Sequence, residues 1–336
     1  MMPLLNVRNV AVDFPVLVRD GPTRRATLRA VDDVSFGIDE NEIVAVVGES
    51  GCGKTTLARA VAGLSSPTSG SLFFAGEDVT AADGPSRRRT RRDIQMVFQD
   101  PFESLNPRKT VFQTLAQPLK IQKVVPASDL RREAAWLLEQ VGLSPAAGYL
   151  DRYPHEFSGG QRQRICIARA IAVRPRLVVA DEAVSALDIS IRAQILQLFR
   201  KLKDEFSLSY MFITHDLGVV RSLCERVIVM YLGQIVEIGA TEDVFRRPRH
   251  PYTAALLASS PLPDPTMRHT ERTLLQGDVP SPISPPPGCR FHTRCPMVQD
   301  ICRKTEPAMR KVGATGVSKC HFADQDVAWN KAVEQA

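Results

Sequence analysis

The chain has 336 residues, 44% of them hydrophobic and 24% charged, with a formal net charge of +6. That places it among globular soluble proteins with enough length for one large domain or two smaller ones. No apolar run approaches the roughly 18 residues that cross a bilayer, and the opening MMPLLNVRNVAVDF has no basic stretch followed by an apolar one, so the expectation is a cytoplasmic protein that reaches a membrane only through a partner.

Residues 4–14 and 29–38 alternate apolar and polar side chains, as half-buried strands do. A polar insertion with Gly21 and Pro22 separates them. EIVAVV (42–47) is a continuous apolar run ending at glycine, the pattern of a buried parallel strand, and a helical pattern follows over 54–63. SRRRTRR (86–92) reads as a solvated basic loop. It lacks the interleaved aromatics of a nucleic-acid surface, and no nucleic-acid partner is expected. From about 101 to 170 the strand signal gives way to helical periodicity, including 127–142 and 158–173, as in an inserted helical subdomain. Buried strands return at LVVAD (177–181) and YMFITH (210–215), with a helix over 190–205 between them. VIVMYLGQIVEIG (227–239) reads as two short strands about a turn, and a last helix lies near 251–259. Buried strands alternating with helices predict an α/β core with a parallel sheet. A nucleotide-binding unit over 1–260 is followed by residues 261–288, which hold eight of the 24 prolines and read as an extended linker. Residues 289–322 read as a separate cysteine-rich module and 323–336 as a tail.

The stretch VVGESGCGKTT fits G-x-x-x-x-G-K-[ST] at Gly48, Gly53, Lys54 and Thr55. Such a loop turns its backbone N–H groups onto phosphate oxygens, and its glycines permit the dihedrals and the close approach. The helix that starts at Lys54 points its positive end at the anion. Lys54 is expected to reach the β- and γ-phosphates and Thr55 to ligate Mg²⁺. Ser50, Gly51 and Thr56 complete the candidate ATP-binding loop. A second apolar strand ends at Asp181 and Glu182, at the sheet edge where such folds bind ligands. Asp181 suits a hold on Mg²⁺ and Glu182 the activation of an attacking water.

FSGGQRQRICIARA (157–170) resembles the signature of ATP-binding cassette (ABC) proteins. The resemblance implies a P-loop cassette with a RecA-like core, an antiparallel β-subdomain and an inserted helical subdomain. Ser158, Gly159, Gly160 and Gln161 open a helix whose free N–H groups face outward. In the family this second anion site closes on the γ-phosphate held by another subunit, in a head-to-tail dimer. By the same resemblance Gln99 matches the Q-loop that senses Mg²⁺ and the γ-phosphate, Ser185 to Asp188 the D-loop at the dimer interface, and His215 the switch histidine. Phe14 falls where the family stacks an aromatic ring on adenine. Two positions depart from the pattern: Ala183 stands where proline is usual and Phe157 where leucine is usual. Neither removes a catalytic group, so Glu182, Gln99 and His215 are expected to form a competent half-site.

QDPFESLNPRKTV (99–111), RHPYTAALLASSP (249–261) and GDVPSPISPPPGCRFHTRCP (277–296) resemble the ATPase subunits of dipeptide and oligopeptide importers, and SLNP and PRK the second of the two ATPases in such systems. The resemblance implies a second ATPase subunit, usually a different chain, two transmembrane permeases, an extracytoplasmic substrate-binding protein, and a place on the cytoplasmic face of the cell membrane. Nickel chelates and peptide-like antibiotics are alternative cargoes. A soluble ABC ATPase of translation or DNA repair is the alternative of another class, although such chains usually carry two cassettes or long coiled-coil insertions.

Four of the seven cysteines, Cys289, Cys295, Cys302 and Cys320, follow the proline-rich stretch. A cytoplasmic setting disfavours disulfides, and four thiolates on a short segment suit a metal or an iron–sulfur cluster. The spacing C-x5-C-x6-C-x17-C is not that of a zinc ribbon, and a [4Fe–4S] cluster, Zn²⁺ and unliganded thiols all stand as readings. The resemblance to four-cysteine members of the importer family favours the cluster. A segment this small cannot bury enough apolar surface to fold alone, so the centre is expected to brace the tail against a neighbouring subunit. Cys52, Cys166 and Cys224 read as small hydrophobes.

Overall fold

The computed structural model describes residues 2–18, 24–259 and 277–325. Strands β1 (Leu5–Val18) and β2 (Arg24–Ile38) pair antiparallel from Leu5↔Ile38 to Val18↔Arg24. After β3 (Ile43–Val47) and α1 (Lys54–Val61), β4 (Ser69–Phe74) and β5 (Glu77–Asp78) complete an antiparallel sheet in the order β2-β1-β4-β5. The chain continues through α2 (Gly84–Asp93) and β6 (Ile94–Val97) into a helical region of α3 (Pro101–Ser104), α4 (Val111–Ile121), α5 (Leu130–Gln140) and α6 (Gly159–Ile171). It returns through β7 (Leu177–Asp181), α7 (Ile189–Phe206), β8 (Ser209–Ile213), α8 (Leu217–Leu223), β9 (Arg226–Tyr231) and β10 (Gln234–Ala240). Helices α9 (Thr241–Arg246) and α10 (Pro251–Ser259) precede the cysteine-rich segment, which carries α11 (Asp300–Lys304), β11 (Arg310–Val312) and β12 (Gly316–Ser318).

The main sheet runs β11-β12-β10-β9-β3-β8-β7-β6. Its five strands from β9 to β6 are parallel. In β3, β7 and β8 every residue is buried, because each of these strands buries both faces. Ile43, Ala45 and Val47 of β3 pack into the core shared with the helical region, while Val44 and Val46 pack into the core shared with α1 and the antiparallel sheet. Tyr210 and Phe212 of β8 face the first core and Met211 and Ile213 the second. The antiparallel sheet and the helical region therefore grip opposite faces of one parallel sheet, and its C-terminal strand ends are left to carry side chains for chemistry.

Two expectations are corrected. The basic run at 86–92 is helical, not a loop: Pro85 lies in the first turn of α2, and only Thr90 of that helix is buried. A helix that is polar almost all round gives no apolar period to read. The cysteine-rich segment is not a body apart. Strand β12 extends the main sheet with Glu237↔Ser318 and Ile238↔Val317 in register, and Phe291 enters the main core. It braces against its own chain, because without β12 strand β10 would be the sheet edge, and β12 pairs its backbone groups. The insertion with Gly21 and Pro22, linker residues 261–276 and tail residues 326–336 lie outside the described residues.

Candidate functional site

Strand β3 delivers Val47 to the loop 48–53, which closes on the start of α1. Gly53 caps α1 with φ +104, and a Cβ there would meet the Ala30 carbonyl oxygen at 2.1 Å. The tight approach is why the motif needs glycine at this point. Lys54 is buried, and its ammonium donates to the carbonyls of Gly48 at 2.8 Å and Glu49 at 2.9 Å. Ser50, Gly51 and Thr55 are exposed and Thr56 is half-buried, so the rim of the loop is open to a ligand.

Strand β7 lies beside β8, and Asp181 at its end is 4% exposed. The Thr55 hydroxyl donates to Asp181 Oδ1 at 3.3 Å. Burial pushes the Asp181 carboxyl up from its ordinary value, against the pull of the Thr55 hydrogen bond. The next residue, Glu182, turns out of the strand with φ +46, a left-handed conformation that is costly without glycine. Its N–H donates to the Ile213 carbonyl at 3.0 Å, which ties the turn to β8. Gln99 Nε2 donates to Glu182 Oε2 at 2.9 Å, and His215 Nδ1 stands 3.4 Å from Glu182 Oε1. Loop, hydroxyl, two carboxylates, amide and imidazole thus converge from β3, β6, β7 and β8 on one sheet edge. Such a set can hold a polyphosphate with a hard cation and orient a water toward it.

The remaining predicted residues lie outside this hydrogen-bonded set. Ser158 caps α6 in a reciprocal box: its hydroxyl accepts from Gln161 N at 3.3 Å and Gln161 Oε1 accepts from Ser158 N at 3.0 Å. The Gln161 side chain is thus engaged by its own helix, while Ser158 is exposed. The S-x-x-Q spacing of that box is readable in the sequence. Asp188, exposed at the start of α7, caps it without a side-chain bond. One turn on, Arg192 donates to Asp216 at 2.6 Å and to the Leu187 carbonyl at 3.3 Å, tying this turn to the residue after His215. Phe14 is 41% exposed, so its ring is not committed to the core.

Sequence reasoning passed over two connections. Arg162 of α6 lays its guanidinium 3.8 Å from the Phe102 ring and donates to the Pro154 carbonyl at 2.6 Å, and Arg169 donates to the Ser104 carbonyl at 2.6 Å. The signature helix is therefore bolted to the segment after Gln99. Glu49, a position that the loop motif leaves unspecified, is paired with Arg294 of the cysteine-rich segment. The available signal was charge: a carboxylate inside an anion-binding loop calls for a cation nearby.

The four C-terminal cysteines line one small cavity together with His292 and His321. Burial pushes the Cys289 thiol up to about 11 and the Cys295 thiol up to about 12. Among the described residues, no three His, Cys, Asp or Glu side chains are grouped so as to hold a single metal ion.

Residues 31–185 match a family model described as ABC transporter, and residues 236–302 one described as the C-terminal region of oligopeptide/dipeptide transporters. A Brucella abortus chain named as a peptide import ATP-binding protein is 51% identical over 92% of this chain and 95% of its own length. The di/tripeptide transport ATP-binding protein DppF of Pseudomonas aeruginosa is 47% identical over 89% of this chain and 92% of its own. The oligopeptide transport ATP-binding protein AppF of Bacillus subtilis is 44% identical over 95% of this chain and 97% of its own. Among solved structures, an ATP-binding cassette seen as a dimer in a post-hydrolysis state with ADP and phosphate is 29% identical, with a TM-score of 0.61 over 70% of this chain and 98% of that one. CbiO1 of Clostridium perfringens, at 24% identity and a TM-score of 0.62 over 73% of this chain and 91% of that one, shares the fold.

Proposed function

Because the chain belongs to the ATP-binding subunits of ABC-type oligopeptide and dipeptide transporters, we propose that it hydrolyses ATP to energise import of peptides across a membrane. The observation that carries the proposal is the meeting of Lys54, Thr55, Asp181, Glu182, Gln99 and His215 at one sheet edge. In this reading the loop amides and the α1 N-terminus bind the phosphates, Lys54 neutralises their charge, and the exposed Phe14 ring stacks on the base. Mg²⁺ would be held by Thr55, Gln99 and Asp181, and when bound it offsets the charge of the β- and γ-phosphates. A buried carboxyl beside a hydroxyl, its pKa raised by desolvation, suits a hard cation. Glu182 accepts a proton from the attacking water, with Gln99 and His215 fixing its carboxylate.

The exposed Ser158 at the head of α6, with Gly159 and Gly160, would cover the phosphates of a second ATPase subunit in a head-to-tail dimer, and Asp188 would face the same interface. Among the described residues no helix is long and apolar enough to cross a membrane, so the chain would attach peripherally, on the cytoplasmic face, through two permeases served by a substrate-binding protein. The exposed Phe102, stacked on Arg162 of α6, and the adjoining ESLNP stretch (103–107) would face the permease.

The reading extends to a [4Fe–4S] cluster, which Cys289, Cys295, Cys302 and Cys320 would hold. It rests on the four thiols lining one small cavity; among the described residues no three His, Cys, Asp or Glu side chains are grouped to hold a metal ion. Thiols raised to about 11 and 12 by burial become thiolates only beside a strong positive charge. A bound cluster would cross-link the segment and stabilise its fold.

Reconstituted into vesicles with its permeases and binding protein, the wild-type chain is expected to drive ATP-dependent uptake of labelled peptide. The Lys54→Ala chain is expected to drive none. Uptake undiminished in that variant would reject the proposal.

A further inference from the structure

Glu49 ties the phosphate loop to its surroundings through both side chain and backbone. Arg294 Nη1 donates to Glu49 Oε2 at 2.7 Å and Arg294 Nη2 to Oε1 at 3.0 Å, a two-pronged pair in which the guanidinium side chain is only 6% exposed. The Glu49 N–H donates to the Tyr252 hydroxyl at 2.8 Å, and its carbonyl accepts from Lys54. Tyr252 is wholly buried, its ring centroid 4.7 Å from Tyr231 and 5.5 Å from Phe291. Phe291 and Arg294 both lie in the short stretch between Cys289 and Cys295.

The same stretch reaches the loop's other end. Arg290 donates to Asp32 and to the Leu232 carbonyl in the turn between β9 and β10. In that turn Gly233 donates its N–H to the Cys52 carbonyl at 2.9 Å. The two arginines of GCRFHTRC therefore bracket the phosphate loop, one through Glu49 and one through the turn that holds Cys52.

We infer that Arg294 is a positioning residue for ATP: it cancels the Glu49 charge and fixes the loop in its phosphate-binding shape. The inference rests on the reading of 48–55 as the ATP loop. A carboxylate inside an anion-binding loop opposes the phosphates, and a poorly solvated one does so strongly. Paired to a guanidinium by two parallel hydrogen bonds, it becomes a fixed strut. The cysteine-rich segment thus contributes to nucleotide affinity in its own chain, although it supplies no group to the reaction.

The test is ATP binding by the full-length chain at equilibrium, followed by turnover in the reconstituted transporter. Arg294→Met is expected to weaken ATP binding about tenfold, with kcat at saturating ATP changed less than about twofold. Arg294→Lys, which keeps the charge and loses the fork, is expected to weaken it about threefold. The decisive arm is the second substitution: Glu49→Gln added to Arg294→Met should restore most of the lost affinity, because it removes the uncompensated charge. A generic packing defect would not be rescued in this way. Wild-type affinity in Arg294→Met, or a double variant weaker than Arg294→Met alone, overturns the inference. If Arg294→Met does not fold, Arg294→Lys with and without Glu49→Gln decides by the same two outcomes. Lys54→Ala serves as the control: undiminished ATP binding there would reject the ATP loop itself rather than the role of Arg294.

Discussion

Gln99 and Glu182, 83 residues apart, share a hydrogen bond of 2.9 Å from the amide nitrogen to the carboxylate. That bond fixes one oxygen of the carboxylate, and His215 approaches the other at 3.4 Å. In the proposed role of general base, a carboxylate held at both oxygens loses little freedom when it meets its water. His215→Ala removes one of the two supports and leaves the loop and Asp181 intact. It is expected to lower ATP turnover by about 10²-fold with ATP affinity within about twofold of wild type. Single-turnover phosphate release beside equilibrium ATP binding checks it. A matched loss in both would make His215 a binding group.

Gly53 and Gly51 separate steric from conformational demands in the loop. At Gly53 a methyl group would meet the Ala30 carbonyl at 2.1 Å, whereas at Gly51 nothing lies within 4 Å, and both have positive φ, +104 and +78. Gly53→Ala is expected to cost about 2–4 kcal/mol of stability and to abolish ATP binding, and Gly51→Ala only about 1 kcal/mol. Denaturant unfolding of the two variants measures the gap, and equal losses would show that backbone conformation alone governs both.

Among the cysteines, Cys302 is the buried one of the four that line the cavity. Anaerobically purified chain is expected to be brown and to carry about four irons, and Cys302→Ser to lose both colour and iron. A colourless chain with one zinc per molecule would contradict the cluster.

Glu237 supplies a pH signature. It is 1% exposed, accepts backbone N–H groups from Arg249 at 2.8 Å and His250 at 2.9 Å, and is pushed up by burial from 4.5 to about 7. The folded chain therefore keeps a proton that the unfolded chain releases. Its contribution to stability is complete below pH 4.5 and is lost as pH rises through about 7. The loss is bounded at about 3 kcal/mol. Urea unfolding at about pH 5 and pH 8 should show a smaller difference in Glu237→Gln than in wild type. An unchanged difference would remove Glu237 from the account of pH dependence.

The central architecture was legible because its signals are local. Five consecutive buried residues in β3, β7 and β8 read as parallel strands, and Gly48 to Thr55 and Ser158 to Gln161 read as loop and helix start. Helix α2 was missed because ten residues with one buried side chain carry no periodic pattern. Strands β11 and β12, three residues each, fall below the length at which alternation can be counted. The grip of Arg294 on Glu49 spans 245 residues and has no local trace at all. Reading GCRFHTRC as an appendage followed from its cysteines, while its two arginines carry the contact with the ATP loop.

The central claim is that this cassette converts ATP hydrolysis at Glu182 into peptide import. The most direct measurement is ATPase activity of the complete transporter in vesicles, with and without peptide-loaded binding protein, for wild type and Glu182→Gln. The expected result is a wild-type rate that rises when loaded binding protein is added, and a variant that binds ATP yet turns over about 10²–10⁴-fold more slowly under both conditions. A wild-type rate indifferent to the loaded binding protein, or full turnover in Glu182→Gln, would contradict it.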